Sequence, residues 1–285
     1  MSRAPVEDVR SYYAKILPFY EKEAIARSHL VFWRGLARRW RPESILEVGC
    51  GIGRITAALS RLAPTVGIDV SLEMLDVAVA SVAAGSAARF AAADMRRVAF
   101  GRPFDLIVAP SDPFSHLLSL ADRRRALRAV AAQLAPAGRF VLEGLYRRDR
   151  QTELPPRRIR HPEGVLEIEE AWYPVGVRDL WHGRYRYSDR RPGERDRTLD
   201  AAFVARAWKI REISALFEEC GLAVETLWGD FDGRPFSRDA ARVVVVARRK
   251  RGLISPARDA VPGKRTAIRP RARSSSPRPP ARSRR

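Results

Sequence analysis

The sequence predicts an α/β fold built on a doubly wound, mainly parallel sheet. Three observations predict this class: short apolar runs typical of buried strands, helical patterns of about 10 to 15 residues between them, and a glycine-rich turn directly after the first run. Strands and helices that alternate at this spacing form parallel strands joined by right-handed crossovers. With 285 residues, the chain is long enough to bury such a sheet without disulfide bonds.

Residues 1–43 are predicted to form helices that precede the sheet. Apolar side chains recur at helical spacing from Val9 to Leu17. Pro18 is expected to end this first helix, because proline lacks a backbone N–H and clashes with the preceding turn. A second helix should continue to Trp40, since a proline follows two residues later.

Residues 44–145 supply the alternation of strands and helices. The predicted strands, in chain order, are 44–48, 65–69, 89–92, 104–109 and 139–145. The predicted helices run from the glycine-rich turn to about residue 62, from a cap at Ser71, and from 121 to 134.

The pattern changes after the fifth strand. Residues 146–207 combine aromatic residues and arginines in alternating runs, which indicates an antiparallel insertion of three or four strands. Helical periodicity returns at 209–221, where Gly221 suits a C-terminal cap, and two apolar strands then form a hairpin at one sheet edge. The main domain is therefore expected to span 44–249. Residues 250–285 are rich in Pro, Ser and Arg and are predicted to form a disordered basic tail.

The formal net charge of +20 lies mostly in this tail. Residues 248–285 contain fourteen Lys or Arg and one acid, which gives +13 and leaves +7 for the other 247 residues. The tail could contact the phosphates of a nucleic acid, a partner that we do not favour.

Several classes are excluded by composition. Two cysteines do not make a disulfide framework, four scattered histidines argue against a metal site, and no apolar run is long enough to span a membrane. The first residues, MSRAPVEDVRSYY, carry charges where a signal peptide would be apolar. We therefore expect a cytoplasmic protein.

The stretch ILEVGCGIGRIT, residues 45–56, places three glycines two residues apart after a strand. Such a turn before a helix brings backbone N–H groups close to a ligand. The spacing fails the G-x-G-x-x-G pattern of dinucleotide-binding folds, because Arg54 or Thr56 occupies the position of the last glycine. Glu47, two residues before the first glycine, favours a positively charged group over a diphosphate.

Two further carboxylates follow the next two predicted strands. Asp69 ends the second strand, 18 residues after Gly51, where a carboxylate can accept hydrogen bonds from ribose hydroxyls. Asp94 follows the third strand, where it is placed to accept from an exocyclic amine such as that of adenine. A ligand with a cationic amino acid part, a ribose and an adenine satisfies Glu47, Asp69 and Asp94 together. S-adenosylmethionine is that ligand.

Five stretches, ILEVGCGIGRIT, VGIDVSLEML, AAADM, FDLIVAPSDPFSHL and FEECGLAVETLWG, resemble those of the class I S-adenosylmethionine-dependent methyltransferases. They cover roughly residues 44–145 and 209–249. The resemblance implies a Rossmann-like, seven-stranded sheet with an antiparallel final hairpin strand. It also implies cofactor contacts from Glu47, Gly49, Gly51, Gly53, Asp69, Met74, Asp94 and Met95, to which we add Tyr12, Cys50, Val70 and Ala109.

The loop after the fourth strand, APSDPFSHL, should lie beside the reacting group, because ligands bind at the carboxyl ends of strands near the switch point. We predict His116 as the catalytic residue, acting as a base or as an orienting group. The layout resembles that of the aminosugar N,N-dimethyltransferases, which carry an antiparallel insert after the fifth strand and a histidine at the place that matches His116. Tyr12, Tyr13 and Tyr20 are predicted to cover the cofactor as part of a helical lid formed by residues 1–43.

The same loop keeps a rival reading open. Ser111-Asp112-Pro113-Phe114 resembles a motif of methyltransferases that act on the amino groups of bases, although Asp112 replaces its first proline. We favour a helix N-cap at Asp112 with Pro113 in the first turn. The aromatic residues of the insert are predicted to form the roof of a substrate pocket; they are Trp172, Tyr173, Trp181, Tyr185 and Tyr187.

The main hypothesis is an S-adenosylmethionine-dependent enzyme that transfers a methyl group to an amine or hydroxyl of a small molecule by in-line displacement. The two alternatives are a methyltransferase acting on nucleic acid and a non-catalytic cofactor-binding protein.

Overall fold

Helices and strands alternate along the chain as the sequence predicts. The computed structural model describes residues 7–25, 29–146, 152–240 and 242–250. Its helices are α1 (Val9–Ile25), α2 (Leu30–Trp40), α3 (Arg54–Leu59), α4 (Leu72–Ser81), α5 (Leu120–Gln133) and α6 (Ile210–Glu219), with a short 3₁₀ helix at Pro113–His116. Its strands are β1 (Ile45–Val48), β2 (Thr65–Asp69), β3 (Ala88–Ala92), β4 (Phe104–Ala109), β5 (Leu134–Gly144), β6 (Thr152–His161), β7 (Gly164–Val175), β8 (Val177–Arg190), β9 (Arg197–Arg206), β10 (Leu222–Trp228) and β11 (Val243–Arg249).

Seven strands form one mixed sheet in the order β10-β11-β5-β4-β1-β2-β3. The strands from β1 to β5 pair in parallel, whereas β11 pairs antiparallel with both β5 and β10. The strand order reverses between β1 and β4, and the loops that leave these two strands diverge to make a crevice. The predicted fold class is confirmed, including the antiparallel final strand.

Local signals account for most of these elements. The β1 segment ILEV is buried along its whole length, as a central parallel strand requires. The Ser71 side chain accepts a hydrogen bond from the Met74 N–H at 3.2 Å and so caps α4 as predicted. After α6, Gly221 adopts a φ of 85°, which is the left-handed conformation that ends many helices.

A second sheet of four antiparallel strands, in the order β6-β7-β8-β9, forms the insertion. Side chains alternate across it, so that Tyr185 and Tyr187 stack on one face with ring centroids 6.1 Å apart. On the other face, the Arg186 guanidinium pairs with Asp200 at 2.8 Å. The face that carries the tyrosines is the one that packs inward.

The first helix packs against this insertion. Tyr12, Ile16 and Phe19 share one apolar cluster with side chains of β6 to β9. Two ion pairs reinforce the contact: Lys22 Nζ lies 2.5 Å from Asp189 Oδ2, and Arg157 donates to Glu23 at 2.9 Å. Both carboxylates are buried, so these pairs are less screened by solvent than surface pairs. α1 is therefore held by the insertion.

The prediction that Pro18 ends the first helix is wrong. α1 runs through Pro18 to Ile25. Proline removes the hydrogen bond to the carbonyl four residues earlier, but Pro18 lies on the exposed side of the helix, where water can solvate that carbonyl. The apolar contacts of the opposite face then outweigh the lost bond.

Some boundaries also differ from the prediction. α3 ends at Leu59 and not near residue 62, and β5 begins at Leu134 and not at residue 139. The early start of β5 follows from its pairing with β4, which includes Phe104 opposite Leu134 before the register shifts. In the described part of the chain, no helix has the length and apolar character needed to cross a membrane. The predicted tail falls on residues 251–285, which lie outside the described residues.

Candidate active site

A cavity of about 450 Å³ opens at the carboxyl ends of the parallel strands. Four successive strand ends and the loops that follow them contribute to its wall. The residues that were predicted and line it are Gly49 and Gly51 after β1; Asp69 at the end of β2, with Val70 and Met74 beyond it; Asp94 and Met95 after β3; and His116 after β4. We call this space the first cavity. Its position is the one expected for a ligand in an open α/β sheet.

The three glycines of the first loop have different surroundings. All three adopt positive φ values between 52° and 75°, which favour glycine. A Cβ atom on Gly49 would lie 2.5 Å from the Pro113 side chain, and one on Gly53 would lie 2.7 Å from the Phe90 ring. A Cβ on Gly51 would meet only the Tyr20 side chain, no closer than 3.8 Å. Gly49 and Gly53 therefore allow close packing, whereas Gly51 leaves room in the first cavity.

Asp69 is oriented by the backbone of two loops. Its Oδ2 accepts from the Gly51 N–H at 2.8 Å, and its Oδ1 accepts from the Ser71 N–H at 2.9 Å. Burial raises the pKa of Asp69, and these N–H groups act in the opposite direction. A carboxylate that is fixed in this way retains lone pairs to accept from further hydroxyl groups.

Asp94 faces the first cavity but is already engaged. Its carboxylate accepts from the Arg96 guanidinium in a bidentate pair of 2.6–3.0 Å, and Arg96 also approaches Asp122 at 3.3 Å. The hydrogen bond from Arg96 lowers the pKa of Asp94, so the group is ionised at neutral pH. Arg96, which also lines the first cavity, was not singled out from the sequence.

Glu47 lies beneath the glycine loop and does not line the first cavity. It is 2% exposed and accepts a hydrogen bond from the Thr56 hydroxyl of α3. Desolvation raises its pKa to about 8, because a buried carboxylate loses its hydration. In this structure, Glu47 therefore supports the loop from below.

Replacing Glu47 with glutamine should stabilise the protein by about 2–3 kcal/mol at pH 7. Since the pKa of Glu47 is raised in the folded state, the stability linked to its proton is complete below about pH 4.5 and is lost as the pH rises towards 8. Glutamine keeps the acceptor for Thr56 without the charge. Urea denaturation at pH 5 and pH 8 would measure this; a gap between variant and wild type that does not widen with pH would contradict it.

Four other predicted cofactor contacts do not line the first cavity. Cys50 and Ala109 are buried, Gly53 packs against Phe90, and Tyr12 points towards the insertion, where its hydroxyl lies 3.4 Å from that of Tyr187. Tyr13 and Tyr20 of the same helix, which were also predicted to cover the cofactor, do line the first cavity. Because Tyr13 and Tyr20 are seven residues apart, both side chains lie on the same face of the helix, and this spacing can be read from the sequence.

A second cavity of about 560 Å³ lies between α1, the insertion and the loop after β4. Of the aromatic residues predicted as its roof, Trp172, Tyr185 and Tyr187 line it, whereas Tyr173 and Trp181 do not. The two cavities share a wall formed by Tyr13, Tyr20, Ser111, His116 and Phe203. Groups bound in the two spaces would therefore meet at this wall.

His116 is the residue of the shared wall that carries an imidazole. Its Nε2 lies 3.1 Å from the Tyr13 hydroxyl, and its ring packs against Phe203 with centroids 5.1 Å apart. Desolvation lowers the pKa of His116 to about 4. The imidazole is therefore neutral at physiological pH, and one ring nitrogen can accept a proton.

The side chain of Asp112 does not cap the 3₁₀ helix, contrary to the prediction. The Asp112 backbone adopts a φ of 48°, and the side chain points inward. There its carboxylate accepts hydrogen bonds from the Leu145 N–H at 2.5 Å and from the Trp208 indole N–H at 3.2 Å. Burial raises the pKa of Asp112 to about 6, although the nearby Arg123 guanidinium opposes this shift. The loop that carries His116 is thereby tied to the end of β5 and to the segment that leaves the insertion.

Comparison with known proteins relates this chain to methyltransferases. Residues 45–138 match a family model described as a methyltransferase domain. The putative methyltransferase YqeM of Bacillus subtilis is 23% identical over 224 residues, which cover 74% of this chain and 86% of that protein.

Solved structures of low sequence identity share the fold. An S-adenosylmethionine-dependent methyltransferase from Clostridium acetobutylicum aligns with a TM-score of 0.68 at 20% identity, covering 84% of this chain and 99% of that chain. CalS10, an amino pentose methyltransferase from Micromonospora echinaspora, aligns with a TM-score of 0.67 at 20% identity. The alignment covers 88% of this chain and 100% of that chain.

The first cavity fits S-adenosylmethionine in size and in chemistry. Its volume lies within the range of small-molecule sites, the missing Cβ of Gly51 leaves room beside the loop, and carboxylates stand at the ends of β2 and β3. Residues 45–138 therefore match a methyltransferase domain, and the chain shares its fold with solved S-adenosylmethionine-dependent methyltransferases.

Proposed function

We propose that this enzyme transfers a methyl group to a nitrogen or oxygen atom of a small molecule that binds in the second cavity. The observation that carries the proposal is the wall shared by the two cavities, in which His116 and Tyr13 face both. A donor in the first cavity and an acceptor in the second can approach each other there in line. Orientation of this kind supplies on the order of 7–11 kcal/mol towards the reaction barrier.

We assign the binding of S-adenosylmethionine to residues that line the first cavity. Asp69 would accept from the ribose hydroxyls, Asp94 and Met95 would contact the adenine, and Gly51 would leave space for the amino acid part beside Gly49. When bound, the cofactor supplies an electrophilic methyl group on a positively charged sulfur atom.

Replacing Asp69 with alanine should weaken the binding of S-adenosylmethionine by about 1–3 kcal/mol, because the ribose hydroxyls lose their acceptor. Titration calorimetry with S-adenosylhomocysteine measures the change without any need for an acceptor. Asp105→Ala is a matched control, since Asp105 binds the backbone and side chain of Ser44 away from the cavity. Equal affinity of Asp69→Ala and wild type would remove Asp69 from the cofactor site.

We assign the handling of the acceptor's proton to His116. Its neutral imidazole can take a proton from the attacking N–H or O–H group, while the Tyr13 hydroxyl at 3.1 Å holds the ring in position. The lone pair of the acceptor atom forms the new bond to carbon, and the electron pair of the broken carbon–sulfur bond stays on sulfur.

We also propose that α1 is a lid and that the chain is organised as a helical segment over residues 1–43 and a core over 44–249 that carries the insertion. The support is the position of Glu7 to Arg10, Tyr13 and Tyr20 in the wall of the first cavity. The structural likeness to CalS10, an amino pentose methyltransferase, favours an amine as the acceptor.

The test is a screen of small amines and alcohols with the full chain and S-adenosylmethionine. Acceptor-dependent formation of S-adenosylhomocysteine, with a mass increase of the acceptor by one methyl group, is expected for a member of the panel. Release of S-adenosylhomocysteine only with RNA or DNA would favour the nucleic-acid alternative. Tight cofactor binding without methylation of any acceptor would favour the non-catalytic alternative.

A further inference from the structure

We infer that Glu143 is a positioning residue for His116, and that it acts by holding Ser111 in a left-handed backbone conformation. This inference rests on the proposed function, in which His116 handles the proton of the acceptor, and it adds a residue from another strand to that site. Three features support it: the backbone of the loop after β4, the hydrogen bond that Glu143 accepts, and the contacts that fix the Glu143 side chain.

The loop after β4 begins with two residues in an unfavourable backbone conformation. Ser111 has a φ of 58° and Asp112 a φ of 48°, and positive φ values are uncommon for residues other than glycine. Among the described residues, one further non-glycine residue, Arg41, has a positive φ, and it lies at the end of α2, where this conformation is common. Ser111 does not end a helix, so another contact must hold its conformation.

Glu143, near the end of β5, provides that contact. Its Oε2 accepts a hydrogen bond from the Ser111 N–H at 2.7 Å. A hydrogen bond from a backbone N–H to a carboxylate is stronger than one between neutral groups, so it can offset the cost of a left-handed residue. Ser111 lines both cavities, and loss of this bond would therefore alter the wall that they share.

A change at Ser111 would be transmitted to the residues that follow it. The residues before it belong to the sheet, where Ala109 pairs with Leu142 of β5. The segment after it is a short 3₁₀ helix, Pro113–His116, which the sheet does not hold. If Ser111 relaxed to a negative φ, this segment would rotate, because the strand before it cannot.

His116 is the residue that such a rotation would displace. Its ring lies between two aromatic rings, with centroid distances of 5.5 Å to Tyr13 and 5.1 Å to Phe203. These two rings come from α1 and β9 and would not move with the loop. The position of His116 in the shared wall therefore depends on the backbone of Ser111.

The Glu143 side chain is itself held in place. Its Oε1 accepts from the Arg242 guanidinium at 2.9 Å, and the side chain is 12% exposed. Arg242 also lies 3.1 Å from Asp230 and 4.1 Å from the centroid of the Phe231 ring. Removal of the Glu143 side chain would leave Arg242 with these two partners, whereas the Ser111 N–H would lose its acceptor.

Glu143→Ala in the full chain tests the inference, with the NMR signal of the His116 imidazole at neutral pH as the readout. Because aromatic rings pack on His116, their ring currents should shift this signal away from that of an exposed histidine. Its absence from the spectrum of His116→Ala assigns it. In Glu143→Ala the signal should move towards that of an exposed histidine or broaden. An unchanged His116 signal in Glu143→Ala would overturn the inference.

A rescue experiment separates the backbone of Ser111 from a general loss of stability. Glycine adopts a positive φ without a steric cost, so adding Ser111→Gly to Glu143→Ala should restore most of the wild-type His116 signal. Arg41→Gly is the matched control, because it places glycine at the left-handed end of α2, outside the lining of both cavities, and it should restore nothing.

The same two double variants decide the outcome if Glu143→Ala does not fold. Recovery of folded protein and of the His116 signal with Ser111→Gly, and not with Arg41→Gly, would support the inference. Recovery with both glycines or with neither would overturn it, since the backbone of Ser111 would then not be what Glu143 holds.

Glu225→Ala controls for the loss of a carboxylate from the same sheet. Glu225 lies on β10, pairs with Arg139 at 2.9 Å and lines neither of the two cavities. It should leave the His116 signal in its wild-type position. A change as large as that in Glu143→Ala would show that the effect is not specific to Glu143 and would overturn the inference.

The outcomes separate this inference from the proposed function. With an identified acceptor, Glu143→Ala should lower kcat by about ten- to a hundredfold and leave the affinity for S-adenosylhomocysteine unchanged. Methyl transfer at the wild-type rate would overturn the inference and leave the proposed function intact. Failure of the wild-type chain to methylate any acceptor would contradict the proposed function, while the NMR comparison would still decide whether Glu143 positions His116.

Discussion

Replacing His116 with alanine should lower methyl transfer by about 10²–10⁴-fold and leave the affinity for S-adenosylmethionine unchanged. The loss is expected because the imidazole is the group in the shared wall that can take the acceptor's proton at neutral pH. Cofactor affinity should persist because Asp69 and Asp94 lie on other loops of the first cavity. Single-turnover measurements at saturating cofactor would separate the chemical step from binding.

The pH dependence gives this prediction a second readout. Because desolvation lowers the pKa of His116 to about 4, the neutral form that can accept a proton is complete above about pH 5. The contribution of His116 to the rate should therefore be constant from pH 5 to 8 and fall as the pH drops through 4.

Tyr13→Phe serves as the graded comparison for His116→Ala. It removes the hydroxyl that lies 3.1 Å from Nε2 but keeps the ring that packs on His116, so a smaller loss is expected. If His116→Ala turned over an identified acceptor at the wild-type rate, His116 would have no part in the reaction.

Replacing Gly49 with alanine should destabilise the fold by about 3–6 kcal/mol. The new Cβ would lie 2.5 Å from the Cβ of Pro113, and the backbone φ of 72° is already unfavourable for alanine. Pro113 is buried between Asp112 and Phe114, so it has little room to move away. Relief of the clash would displace the loop that carries His116, and activity should fall even in the fraction that stays folded.

Gly85→Ala isolates the backbone part of this effect. Gly85 has a φ of 82°, but a Cβ there would meet no atom within 4 Å. Urea denaturation of both variants should show a loss of about 1 kcal/mol for Gly85→Ala and a clearly larger loss for Gly49→Ala. Equal losses would show that contact with Pro113 does not restrict the loop.

The sequence predicts the sheet well because its signals are local. The strand 65–69, the cap at Ser71 and the strand 104–109 each depend on a few neighbouring residues, and the structure confirms all three. Asp69 also lies in the first cavity as the spacing predicts, since the end of a parallel strand determines where the next loop begins.

The site was harder to predict where the direction of a side chain decides the role. From the sequence, Glu47 is expected to contact the cofactor and Asp112 to cap a helix. In the structure, the Glu47 carboxyl accepts a hydrogen bond from Thr56 on α3, nine residues later in the chain. The Asp112 carboxylate accepts one from Trp208, 96 residues later. Residue type and spacing do not encode these partners.

The second cavity could not be predicted in detail for a related reason. Glu23 comes from the first helix, whereas Arg157 and Glu170 come from the insertion more than a hundred residues later. Their proximity depends on how α1 packs on β6 to β9, and an alternating pattern indicates only which side of a strand faces inward. The prediction of an aromatic roof captured Trp172, Tyr185 and Tyr187, but not the acidic groups beside them.

The attachment of α1 to the insertion connects the walls of the first and second cavities. α1 carries wall residues of both cavities and is held by Arg157 and Asp189. If the acceptor binds in the second cavity as we propose, a substitution that adapts the insertion to a new acceptor is expected to shift Tyr13 and Tyr20 over the first cavity as well. On this proposal, acceptor range and cofactor affinity should change together. Mutational drift in the insertion would be constrained by the need to keep a methyl donor bound.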